Sequence, residues 1–281
     1  MTPVAYHRPA DLAAVLALLA ADEEARPLAG GQTLVPMLNL ELLAPTAIIS
    51  LIDVAELRGI RRLDDGAVRI GAMETHARIA VSDAFRDGQA LIPDTARQIA
   101  SPAIRNFGTI GGACAHGDPA SDWPAALVGA GATIEIAGRD GIRKIAAEDF
   151  FLQFLTTALE PGELVTAILV PPLPGRGRYY RFARVDSDYP ILSIACVADI
   201  AGGLCRFVRL AAGACGPTPV RVAAAEALLA GRPRDAALVR QVGTMLASAA
   251  EPIDDVRGSA DYRRRILPGL VARVLDEVAG P

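Results

Sequence analysis

Apolar residues along this chain recur with two periods, and the switches between them mark its elements. Positions 11–21 carry Leu, Val and Ala at helical spacing behind Asp11, whose short carboxylate suits an N-cap, so a helix is expected there. Arg26-Pro27 leads into a brief strand ending at Leu28-Ala29, followed by an expected helix over 34–43 and a strand over 47–51. Residues 60–63 and 67–73 alternate on either side of Asp64-Asp65-Gly66, a hairpin signal. Thr75 can cap a short helix over 76–81, and a longer helix is expected over 91–100. The middle of the chain then reads as helix 123–130, strand 133–137, a turn at Arg139-Asp140-Gly141, strand 142–145, a short helix over 149–156 and strand 164–170. Pro171, Pro172 and Pro174 close that region. Strands at 177–185, 192–200 and 205–213 follow with short connections, which predicts an antiparallel meander, and helices at 222–229, 235–250 and 260–278 finish the chain. The expectation is an α+β protein of three domains: 1–57, 58–174, and a C-terminal α/β domain over 175–281 with a small antiparallel sheet and helices.

Composition narrows what such a chain can do. Its 281 residues are 52% hydrophobic and 21% charged with a formal net charge of -4, so a nucleic-acid or membrane-surface binder with a basic face is not expected. No apolar run reaches the roughly 18 residues of a membrane span, and the N-terminus lacks a basic flank before an apolar core, so a cytoplasmic location is the expectation. Cys114, Cys196, Cys205 and Cys215 are spaced too widely for a zinc ribbon or a common iron–sulfur motif, so no metal is expected on this chain.

The chemistry concentrates in two glycine pairs. Gly30-Gly31-Gln32-Thr33 lies between a strand and a helix, where it is either a simple turn or a place where main-chain N–H groups converge on an anion. The second pair sits in 101–124, SPAIRNFGTIGGACAHGDPASDWP, where Thr109-Ile110-Gly111-Gly112 reads as a strand end running into a tight turn. Two such sites, each beside a threonine, suggest an elongated anionic ligand held between two domains. Neither G-x-G-x-x-G nor G-x-x-x-x-G-K-[ST] occurs, and no nucleophile with its base is evident, so in an enzyme the ligand would carry the chemistry. His76 is read as a surface or capping histidine, Asp122 as a cap for the helix that follows it, and Tyr179, Tyr180, Arg181 and Tyr189 as sheet residues with solvated tips.

Ala29-Gly30-Gly31-Gln32-Thr33, Arg69-Ile70-Gly71-Ala72, Thr109-Ile110-Gly111-Gly112 and Asp118-Pro119-Ala120-Ser121-Asp122 closely resemble the FAD-binding medium subunit of molybdenum hydroxylases, the family of carbon monoxide and xanthine dehydrogenases. The resemblance extends through Asp149-Phe150-Phe151, Thr157-Ala158-Leu159, Gly213 to Arg221 and Tyr262-Arg263-Arg264, nearly the whole chain. It implies a two-domain vanillyl-alcohol-oxidase-type FAD-binding fold followed by a third domain that closes over the flavin. Leu28, Ala29, Gly30, Gly31, Gln32, Thr33 and Leu34 would wrap the diphosphate, with Thr109, Ile110, Gly111, Gly112 and Ala113 opposite. Asp118 and Asp122 complete the motif, Asp122 near the flavin head or ribityl chain. Ile99 and Val165 align with positions on the ring faces, and Arg181 with a basic residue near the ring. Ala113 departs from the asparagine of many relatives, and His116-Gly117 from small residues or asparagine; no cysteine-rich insertion for a four-iron cluster is present.

The implied role is electron transfer. A large subunit with a molybdenum cofactor oxidises the substrate, a small 2Fe-2S subunit relays electrons, and FAD on this chain passes them to NAD, a quinone, a cytochrome or oxygen. A dimer of heterotrimers is the assembly the resemblance implies. The alternative is a self-contained flavoprotein akin to UDP-N-acetylenolpyruvoylglucosamine reductase, which the aspartate-rich DPASDW segment suits less well.

Overall fold

A computed structural model describes residues 4–280. Residues 4–57 fold around a small parallel sheet in which Ala47–Ser50 lies between Arg26–Leu28 and Ala5–His7; the first two are expected strands, and Ala5–His7 is a strand the sequence pattern does not predict. The helix Leu12–Ala21 covers it, capped by Asp11, whose carboxylate accepts from Ala14 N at 2.8 Å. Val15, Leu19, Ile49, Val54 and Leu57 form the core, joined by Leu164 from the next sheet and Met73 from the turn after its strand Val68–Gly71. That shared core fixes the first two units against each other, because parting them would expose these apolar side chains.

The second sheet has five strands in the order Ile60–Arg62, Val68–Gly71, Leu164–Val170, Thr133–Gly138, Gly141–Ala146, all antiparallel. Both expected hairpins form. The region between 91 and 130 is more helical than its sequence suggests. The helix Leu91–Gln98 stops two residues early, before Ala100 at φ 41°, and a further helix, Pro102–Phe107, starts at once behind the Ser101 cap. Arg105 donates to the carbonyls of Ile99 and Ala100, both at 2.7 Å, and so holds this strained corner.

Thr109-Ile110-Gly111-Gly112 is not a strand end with a tight turn. Thr109 is the N-cap of the helix Ile110–His116, its hydroxyl accepting from Gly112 N at 3.2 Å, and both glycines lie in the first turn. Tertiary contact overrides glycine's poor helix propensity, because a methyl at Gly111 would lie 2.7 Å from Ala72 O. The helix expected over 149–156 is also shorter, Ala147–Phe150, and gives way to a small hairpin, Phe151–Gln153 with Thr156–Thr157. The helix expected over 34–43 spans Leu34–Asn39.

The meander appears as predicted, Arg176–Phe182, Leu192–Ala201 and Leu204–Gly213 in sequential order. The helices Ala223–Leu229, Ala236–Ala249 and Ala260–Ala279 pack on it through Leu210, Val242, Leu246, Leu267, Val271 and Leu275. Its other face presents Tyr179, Ala195, Val197 and Ala211 to the core of the middle unit. Among the described residues, no helix is long and apolar enough to cross a membrane.

Candidate FAD site

The strand Arg26–Leu28 delivers the chain to Gly30 and Gly31 at the edge of the first sheet. Gly31 has φ 71°, which favours glycine over every L-residue. Gly30 needs its hydrogen for a different reason: a methyl there would collide with the Phe107 carbonyl and lie 2.9 Å from Gly108 Cα. The backbone at Gly30 therefore meets the Phe107–Gly108 segment that leads into the second glycine motif. On the far side, a methyl on Gly112 would be 3.5 Å from Ala29 Cβ.

Their main-chain donors are unequal. Among the described residues, the N–H groups of Gly30, Gly31, Gln32 and Thr33 have no protein acceptor, and none of these four residues is fully buried. On the opposite segment the main-chain donors of Ile110 to Ala113 are engaged. Ile110 N–H bonds Glu74 O at 3.1 Å, Gly111 N–H bonds Ala72 O at 2.9 Å, Gly112 N–H bonds Thr109 Oγ1, and Ala113 N–H bonds Thr109 O at 3.1 Å. The two segments thus differ in what their main chains offer, because Ile110 to Ala113 spend their N–H groups within the protein. One segment offers free donors; the other offers a smooth wall whose glycines permit close approach. A diphosphate, with its surplus of acceptor oxygens, fits the first by its chemistry and the second by the space a side chain would fill.

Asp122 is the first residue of the helix Asp122–Gly129, and Ser121 rather than Asp122 stands at the N-cap position. Its carboxylate is buried and faces the third sheet, where Oδ1 accepts from Tyr179 Oη at 2.8 Å and Arg181 Nε at 3.1 Å. Burial pushes the Asp122 carboxyl up to about 6, against the pull of Arg181 and of the Tyr179 hydrogen bond. The reading of Tyr179 and Arg181 as solvated sheet tips gives way here, since a buried charge needs partners and these two supply them. Arg181 also donates to Asp186 O at 2.8 Å, which ties the loop after the strand to the same point. Tyr189, in that loop, is exposed at its edge, with the Arg257 guanidinium 4.9 Å from its ring centroid.

Other positions read from the sequence take supporting places. Asp118 Oδ1 accepts from Ala120 N at 2.9 Å and shapes the turn before Ser121. Ile99 and Val165 are both buried in the central core, so their side chains are committed to packing. Leu28 and Leu34 are half-buried beside the glycine pair, and Ala113 is half-buried in the first turn of its helix. Phe107 and Gly108 went unread, although a glycine just before a Thr cap is a signal for close backbone contact.

Comparison with known proteins decides what this clamp belongs to. Residues 2–173 match the FAD binding domain in molybdopterin dehydrogenase, and residues 178–278 the CO dehydrogenase flavoprotein C-terminal domain. The chain belongs to this family. As an FAD-binding subunit of the molybdenum hydroxylases it is an oxidoreductase component with FAD as its cofactor. It is 36% identical over 274 residues, 96% of this chain and 95% of the relative, to the carbon monoxide dehydrogenase medium chain of Afipia carboxidovorans. To the nicotine 6-hydroxylase medium subunit of Paenarthrobacter nicotinovorans it is 34% identical, covering 98% of this chain and 96% of that one. Among solved structures, quinoline 2-oxidoreductase from Pseudomonas putida 86 superposes with a TM-score of 0.94 at 31% identity, covering 99% of this chain and 97% of that chain. The α+β fold, two FAD-binding units followed by a C-terminal domain, is the family's.

Proposed function

We propose that this chain is the electron-transfer subunit of a molybdenum hydroxylase, taking electrons from a 2Fe-2S subunit and passing them to NAD, a quinone, a cytochrome or oxygen. The observation that carries the reading is the meeting of the two glycine segments with four unengaged N–H groups on one side. FAD supplies both one- and two-electron chemistry, which suits it to link single-electron relays with two-electron acceptors. The protein's own work is to bind, orient and shield it.

In this reading Leu28 to Leu34 hold the diphosphate, with Gly30 to Thr33 donating N–H groups to its oxygens, and Thr109 to Ala113 form the opposing wall. Asp122 offers Oδ2 to the ribityl chain, because Tyr179 and Arg181 both meet Oδ1. Arg181 places positive charge beside the ring, which favours the reduced anion. Ile99 and Val165 support the ring from beneath through the core; Asp118 positions Ser121 and Asp122. The units are 1–57, 58–174 and 175–281, the last closing over the flavin. A large molybdenum-cofactor subunit and a small 2Fe-2S subunit, in a cytoplasmic dimer of heterotrimers, complete the assembly in this reading; the medium-chain names of the relatives support the presence of a larger and a smaller partner.

Purification of the chain with its partners, followed by absorbance spectroscopy and FAD quantification, tests the reading. One FAD per chain is expected, with FAD content sharply reduced in Gly111→Val. A flavin-free complex, or full FAD content in that variant at an intact fold, refutes it.

A further inference from the structure

His76 is 5% exposed, contrary to its reading as a surface or capping residue, and it lies beneath the place where the two glycine segments meet. Thr75 caps the short helix His76–Ala80 and forms an isolated antiparallel bridge with Thr109. The His76 main-chain N–H donates to Gly108 O at 3.0 Å, so backbone already joins the two places. The ring adds a second connection. Its Nδ1 accepts from Trp123 Nε1 at 3.1 Å, and because an indole nitrogen only donates, Nδ1 is bare and Nε2 carries the proton. The Nε2 edge presses on Gly108, where a methyl would lie 2.8 Å from Nε2 and 2.9 Å from Cδ2. Gly108 in turn bears on Gly30, whose methyl would lie 2.9 Å from Gly108 Cα. A continuous stack thus runs from Trp123, the residue after Asp122, through the imidazole and Gly108 to Gly30.

We propose that His76 is a positioning residue for FAD: its neutral imidazole, held in one tautomer by Trp123, sets the Phe107–Thr109 segment against Gly30 and thereby fixes the width of the diphosphate cradle. This rests on the assignment of Gly30 to Thr33 and Thr109 to Ala113 as that cradle. The physical requirement is rigidity. Gly108 and Gly30 touch without side chains of their own, so their separation is set by whatever packs behind them. A ring is stiff, its height over Gly108 is fixed by the Trp123 hydrogen bond, and no rotamer change can release it without leaving the indole N–H buried and unpaired.

FAD titration of the flavin-stripped complex tests this with three variants. His76→Leu removes the acceptor and the ring, and is expected to weaken FAD binding about tenfold or more. His76→Asn keeps an acceptor for Trp123 but lacks the Nε2–Cδ2 edge against Gly108, and is expected to weaken FAD binding nearly as much as His76→Leu. Ile134→Val, a core change in the same unit, matches a modest loss of stability and is expected to leave FAD affinity within about twofold. Trp123 is the sole tryptophan, so emission of the isolated full chain reports the indole hydrogen bond, shifting in His76→Leu and staying near wild type in His76→Asn. Equal FAD affinity in wild type and His76→Leu, or a loss in His76→Leu no greater than that in Ile134→Val, overturns the proposal. Gly30→Val separates the two readings: if it too binds FAD normally, the cradle assignment itself has failed, whereas a loss there with none in His76→Leu sinks the role of His76 alone.

Discussion

Gly30→Ala is the smallest change that should part the clamp. The added methyl would sit 2.7 Å from the Phe107 carbonyl carbon and 2.9 Å from Gly108 Cα, with the carbonyl oxygen closer still. Carbon atoms pack at about 3.5–4.0 Å, so the two backbones must separate by roughly 1 Å. All three atoms are main chain, and the Gly108 end is fixed by Ile104 O and His76 N, so no flexible side chain can yield. Overpacking of this kind costs about 1–3 kcal/mol. Gly30 does not have a positive φ, so the cost is contact rather than backbone strain. If the segments part in the folded chain, that energy appears in FAD affinity, and each 1.4 kcal/mol is about tenfold, giving a loss of roughly 5- to 150-fold. Flavin fluorescence quenching on titration measures it, with a thermal melt in parallel. Gly269→Ala is the control: it lies inside the last helix with nothing within 4 Å of the new methyl, and should raise stability by about 0.5–1 kcal/mol with FAD affinity unchanged. Wild-type FAD affinity and melting temperature in Gly30→Ala would show that the two segments do not bear on each other.

Asp122→Ala leaves the buried Arg181 and Tyr179 without their shared partner and should cost about 3–5 kcal/mol in urea unfolding, whereas Asp122→Asn, which keeps an acceptor, should cost less. Thr109→Val removes the cap on Gly112 N–H and should cost about 1 kcal/mol, measured the same way. His76 and Asp122 predict opposing pH slopes. Burial and the Arg105 charge hold His76 down at about 4, so its contribution to stability is complete above 6.5 and falls by ~3 kcal/mol as pH drops through 4. The raised Asp122 carboxyl does the reverse, contributing fully below 3.8 and losing that contribution as pH rises through about 6. Urea midpoints between pH 4 and 6 should therefore change little in the wild type and rise with pH in Asp122→Asn; a flat profile in that variant contradicts the assignment.

What the sequence determined is what local pattern can encode. The Asp64-Asp65-Gly66 hairpin, the Asp11 and Thr75 caps, the meander and its helices all depend on residues within a few positions of one another, and all are present. The glycine motifs likewise lie at a close backbone approach, Gly30 against Phe107 and Gly108, and Gly112 beside Ala29. Local pattern misread Thr109 to Gly112 as a turn, because glycine usually breaks helices; here the Ala72 backbone allows nothing larger, and contact outweighs propensity. Which N–H groups stay free was equally hidden, since Glu74 and Ala72, far back along the chain, consume those of Ile110 and Gly111. Asp122 and Tyr179 are 57 residues apart, and His76 and Trp123 are 47 apart. No periodicity spans such separations. The tertiary structure alone decided that a capping aspartate became a buried anion and a plain histidine the support under Gly108, because only folding brings together the groups that must share a proton or fill a space.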